Sequence, residues 1–259
     1  MKKFLILFIL IGQILMAAKV EYIKVDDLKV PVIFETDKRL PLVSMQFVFQ
    51  NSGNIADADK AGLAKISASM MGEGTKKLGS SKFAEALEAR AIHISASTGR
   101  ETFVMELGAI KDEFNQALKY FDMLLSEPNL SADALKKVKS IKLGSLARKQ
   151  NDFDYVASNE LKSIMFEGTP LASAASGTIE SVESIELKDV KKFIKEHLVS
   201  NRLIVVVGGD VSLSDTKEKL KKIISKMPRG EMEKLNNYKV VEKATEKIIK
   251  KETEQAYVY

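Results

Sequence analysis

Residues 62–75 read GLAKISASMMGEGT, and this stretch decides how the rest of the chain is understood. Leu63, Ile66, Met70 and Met71 recur at helical spacing, so 57–71 is expected to form a helix with these residues on one side. Gly62, Leu63, Ala64, Met70, Gly74 and Thr75 are small or apolar residues that shape a helix and the turn after it. They serve packing. The stretch reads as a frame without working parts.

Upstream, 20–50 gives the strand-type runs VEYIKV, LKVPVIFE and SMQFVFQN, broken by Asp26-Asp27 and by a DKRLP turn. Downstream, SSKFAEALEAR is a short helix with Ser80 and Ser81 as cap candidates. IHISASTGRETFVMEL alternates on both sides of Gly99-Arg100, with Ile92, Ile94 and Ala96 set against Phe103, Met105 and Leu107, which predicts a hairpin. Helices are expected over 111–126, 131–150, 153–166, 187–198 and 212–227, the last following the buried-type strand RLIVVVGGDV. Strands and helices come in blocks without a regular βαβ rhythm. The fold class is therefore α+β, a largely antiparallel sheet covered by helices.

With 259 residues, 45% of them hydrophobic, and only 5 prolines, the chain suffices for one sizeable core plus extensions. Residues 1–18 carry Lys2 and Lys3, the apolar run FLILFILIGQILM and then Ala17 and Ala18, the layout of a secretory signal peptide. An uncleaved anchor is the rival reading, because Leu15 or Met16 stands where a small residue favours cleavage. No later apolar stretch approaches the roughly 20 residues of a membrane-spanning helix. The absence of cysteine excludes disulfides, thiol catalysis and thiolate metal sites, and export without disulfides points to a periplasmic or secreted protein. The net charge of +5 rests on lysines interleaved with Asp and Glu, the pattern of solvated helix surfaces and not of a nucleic-acid-binding face. The expected organisation is a signal peptide at 1–18, one domain at 19–228, a charged linker at 229–251 and the start of a truncated second domain at 252–259.

Four blocks in this order resemble the pitrilysin and insulinase metallopeptidases, the inverzincins: VFQNSGNIADADKAGLAKISASMMGEGT, ISASTGRETFVMEL, FEGTPLASAASGTIESVESI and NRLIVVVGGDV. The resemblance spans about 20–227 and implies an insulinase-type domain. In that family the chemistry sits on a helix bearing His-x-x-Glu-His, where two histidines hold zinc and the glutamate acts as base on the metal-bound water. Laid onto this sequence, the first His falls on Lys65, the Glu on Ala68 and the second His on Ser69. A third ligand, a glutamate on a later helix, falls near Gly144 or Ser145. An ammonium about 3 Å from a zinc dication is repelled by about 10 kcal/mol at an effective dielectric near 20. Deprotonating it costs about 4–5 kcal/mol at neutral pH. The expectation is no catalytic residue, no metal site and no cofactor at Lys65, Ala68 and Ser69.

The resemblance further implies a clamshell in which homologous domains or subunits enclose a peptide. It makes this chain a catalytically inactive homologue, the partner subunit of an active zinc peptidase in peptide degradation or processing. Two other readings stand beside it: a stand-alone peptide-binding or scaffold protein, and an atypical zinc metalloendopeptidase. Lys65 itself reads either as an amphipathic lysine on a partly open helix face or as an ammonium paired with an acidic group. His93 in the hairpin reads as a surface histidine and His197 as a packing residue. Gly208-Gly209 reads as a turn, since the further glycines and the lysine of a phosphate loop are missing.

Overall fold

Among the described residues, six strands make a single sheet in the order β1-β2-β6-β3-β5-β4. They are β1 (Lys19–Val25), β2 (Leu28–Thr36), β3 (Leu42–Gln50), β4 (His93–Thr98), β5 (Thr102–Ile110) and β6 (Leu203–Gly209). The computed structural model describes residues 19–232, 234, 236–242, 246–250 and 258. The expected signal peptide lies outside the described residues, as does the expected second-domain start apart from Val258. Only β2 and β6 pair in parallel; every other neighbouring pair is antiparallel. Pro31 interrupts nothing, because the β2–β6 pairing begins one residue later at Val32.

The period-two pattern sets which side is core. Val43, Met45, Phe47 and Phe49 of β3 are buried, as are Phe103, Met105, Leu107 and Ala109 of β5 and Leu203, Val205 and Val207 of β6. Phe47 stands opposite both Met105 and Val205, so these residues share one face. The other face, with Gln46, Val48, Val104, Glu106, Ile204 and Val206, is only half covered. Register is thereby fixed, since a slip of one residue would send every phenylalanine to the open side.

The helices are α1 (Leu63–Met71), α2 (Gly79–Glu88), α3 (Phe114–Ser126), α4 (Ala132–Lys149), α5 (Phe153–Met165), α6 (Ile179–Ser184), α7 (Leu187–His197) and α8 (Leu213–Ile224). Side-chain oxygens start several of them: Ser131 accepts from the Ala134 N–H, Asp152 from Tyr155 and Ser212 from Asp215. Two starts differ from the sequence expectation. α1 begins at Leu63 and not at 57, because Ala58 (φ 51°) and Gly62 (φ 93°) hold the intervening chain in left-handed turns. α2 begins at Gly79, so Ser80 and Ser81 lie inside its first turn and cap nothing. The short α6 sits in a stretch from which no helix is expected; Thr178 and Ser181 start it with a reciprocal capping box.

α1 packs against β4, α4 and α7, and α3 lies on β5. The aromatic centre is Phe47, whose ring meets that of Phe121 edge-on at 4.9 Å. Phe49, Phe103 and Phe193 continue the chain of rings across the sheet towards α7. Phe47→Ala removes a side chain with 0% exposure. It is expected to cost about 3–5 kcal/mol, read as a lower urea midpoint with an unchanged denaturant slope.

Candidate functional site

The site is built around the start of α1. Asp57 is buried, and its two carboxylate oxygens accept the backbone N–H groups of Gly62 (2.8 Å) and Ala64 (2.6 Å). Those donors are among the unpaired N–H groups that open every helix, so Asp57 caps α1 from five residues upstream. Burial pushes the Asp57 carboxyl up to about 6, outweighing the two backbone donors, a hydrogen bond with Asn54 and the field of Lys65. The neighbouring loop closes the arrangement. A Cβ on Gly177, at φ 74°, would lie 2.5 Å from the Ala61 carbonyl, and Ser181 Oγ donates to that same carbonyl at 2.7 Å.

On α1, Lys65 and Ser69 stand one turn apart on the open side, with Ser69 exposed and its hydroxyl donating to the Lys65 carbonyl at 3.0 Å. Ala68 is buried in the core, 4% exposed. The half-buried Lys65 extends its ammonium to Ser176 Oγ at 3.2 Å, so its partner is a neutral hydroxyl and not an acid. Ser145, half-buried, and Gly144, exposed, lie on α4, which packs beside α1.

Lys142 and Lys149 also belong to this place, and nothing in the sequence reading singled them out. With Ser145 between them they fall at helical spacing along one side of α4. Burial holds Lys142 down at about 8, with the charges of Lys65 and Lys149 adding to the effect. Lys65 is lowered for the same reasons, burial first and Lys149 second, with Asp57 opposing. Lys149 lies over the Tyr155 ring, 4.4 Å from its centre. The surroundings are thus cationic and partly dry.

These residues do not fit zinc. Tetrahedral zinc takes imidazole, thiolate or carboxylate ligands. Here an ammonium, a methyl and a hydroxyl occupy the three helix positions, and among the described residues no three His, Asp or Glu side chains form a group able to hold a metal. His93 is exposed at the end of the edge strand β4. The His197 ring lies against that of Phe193, 4.5 Å between centres, with Nδ1 3.0 Å from Nη1 of the buried Arg202. Gly209 ends β6 where a Cβ would come within 2.1 Å of the Leu42 carbonyl, so this glycine answers a close backbone approach.

Residues 33–179 match the family Insulinase (Peptidase family M16), and residues 184–259 match the Peptidase M16 inactive domain. The chain belongs to the M16 peptidase family. It is similar to the non-peptidase homologue YmxG of Helicobacter pylori, at 37% identity over 260 residues covering 100% of this chain and 60% of that protein. It is also similar to the mitochondrial-processing peptidase subunit beta of Dictyostelium discoideum, at 23% identity over 72% of this chain and 40% of that one. The crystal structure of a peptidase M16 inactive domain from Pseudomonas fluorescens superposes with a TM-score of 0.79 at 22% identity, covering 85% of this chain and 54% of that one. The chain thus spans well under the full length of these relatives. No helix among the described residues is long and apolar enough to cross a membrane.

Two outcomes follow. Asp57 titrates at about 6 in the folded chain against 3.8 unfolded, so the folded state holds this proton more tightly and its stability falls as pH rises from about 4 to 6. Relative to Asp57→Asn, the wild type should lose about 2–3 kcal/mol between pH 4 and pH 7, measured by urea denaturation. Purified protein exposed to equimolar zinc and desalted should retain far less than one zinc per chain by elemental analysis; stoichiometric zinc lost on Lys65→Ala would contradict the donor argument.

Proposed function

We propose that this chain is a catalytically silent M16 subunit that assembles with a zinc-bearing relative and forms part of the wall around a peptide. One observation carries the reading: α1 keeps its cap, its core-facing residues and its neighbours while its open side offers Lys65 and Ser69 where the family places zinc ligands. Packing is retained and hydrolysis is not. The degenerate positions Lys65, Ala68 and Ser69 then mark where catalysis was lost, and the role left to the chain is binding. The half-covered sheet face, with Val48, Val104, Ile204 and Val206, supplies apolar surface of the kind a partner or second domain covers. The apolar run after Lys2 and Lys3 supports export, and hence work in the periplasm or outside the cell.

The chain is expected to co-purify with an M16 relative carrying His-x-x-Glu-His when the two are co-expressed, and to raise that relative's peptide-cleavage rate several-fold while cleaving nothing alone. If no such relative is retained and its activity is indifferent to this chain, the subunit reading fails and a stand-alone binding protein takes its place.

A further inference from the structure

We propose that Lys65, Lys142 and Lys149 together form a docking site for a carboxylate carried by a peptide. Several basic side chains of this protein are matched by acids or carbonyls. Lys60 pairs with Asp189, Lys111 with Asp210 and Lys226 with Asp122. On α4 itself Lys137 pairs with Glu73 at 2.9 Å, and Lys139 donates to the carbonyls of Glu183 and Ile185. The three lysines at the degenerate site are held in another way. Lys65 donates to a hydroxyl, Lys149 lies on an aromatic ring, and the charges acting on Lys142 are those of the other two. Asp57 opposes the lowering of Lys65, but its oxygens are already taken by the start of α1.

Like charges held together in partly desolvated surroundings oppose one another, and an anion seated among them relieves both the repulsion and the missing hydrogen bonds. One side of the place is open to solvent. Ser69 and Gly144 are exposed, and Ser145, between Lys142 and Lys149, adds a hydroxyl. Ammonium groups arriving from two helices suit a small oxyanion approached from the open side of α1. That the oxyanion is a peptide carboxylate rests on the subunit reading above, in which this surface faces an enclosed peptide.

The test uses the full chain and fluorescently labelled extended peptides, followed by anisotropy at two salt concentrations. A peptide rich in Glu should bind in a salt-sensitive manner, and its Gln counterpart at least about tenfold more weakly. Comparing free with amidated C-termini separates a terminal carboxylate from side-chain carboxylates. Lys142→Met and Lys149→Met should each weaken the acidic peptide about tenfold, Lys142→Arg should largely retain it, and Lys136→Met, on an exposed part of α4, should leave it unchanged. Equal binding of the Glu and Gln peptides, or unaltered binding by both methionine variants, overturns the proposal. So does inorganic sulfate binding at the lysines while peptides do not. Retention of the M16 relative by Lys142→Met, measured in parallel, keeps this outcome separate from that of the subunit reading.

Discussion

The structure depends on one buried carboxylate at the start of one helix. Asp57 ties the N–H groups of Gly62 and Ala64 across two left-handed turns, and so sets where α1 begins and which way its open side points. Gly177 fits against Ala61 with no space for a side chain, which brings the Ser176 hydroxyl within reach of Lys65. A helix start held by backbone donors, a buried acid and a glycine contact does not need a metal to keep its shape. The frame therefore keeps its shape whatever stands at the zinc-ligand positions. Zinc in a peptidase of this class polarises water, whereas the core under α1 is held by Ile66, Met70 and Met71, all fully buried.

Much of the fold was legible because its strands obey a strict period of two and its long helices carry wide apolar stripes. The hairpin across Gly99-Arg100 pairs Ile94 with Leu107 and Ala96 with Met105, as the alternation requires. What the sequence hid depends on tertiary contact. Nothing local marks Asp57 as the cap of a helix starting six residues later, so the apolar spacing alone placed the helix start too early. Ser80 and Ser81 look like caps, yet Gly79 takes the left-handed position and the helix starts ahead of them. The α+β class and the M16 family survive such errors, since both rest on the order of blocks and not on their edges.

The site was legible only in the negative. Reading Lys65, Ala68 and Ser69 against a zinc motif says which ligand types are not in the sequence, and the structure places Ala68 in the core. It does not tell what has been gained. Lys142 and Lys149 look like ordinary members of a lysine-rich helix surface. Only the packing of α4 beside α1 separates them from Lys137 and Lys139, whose partners lie within the fold.

The charge at this place has changed sign of purpose as well as amount. A zinc ion with a carboxylate ligand and a carboxylate base is close to neutral overall, and its work is to polarise a substrate oxygen and deliver water. Here three lysines stand with Asp57 as an acid whose oxygens are taken by the start of α1, so the place is positive. If loss of function alone had shaped the site, small neutral residues such as Ala68 and Ser69 would suffice at every position. Keeping half-buried ammonium groups beside one another costs stability, and under the proposal above an anion offsets that cost. Under the subunit reading proposed above, the lysines are a binding feature that holds a group where the family places its zinc chemistry.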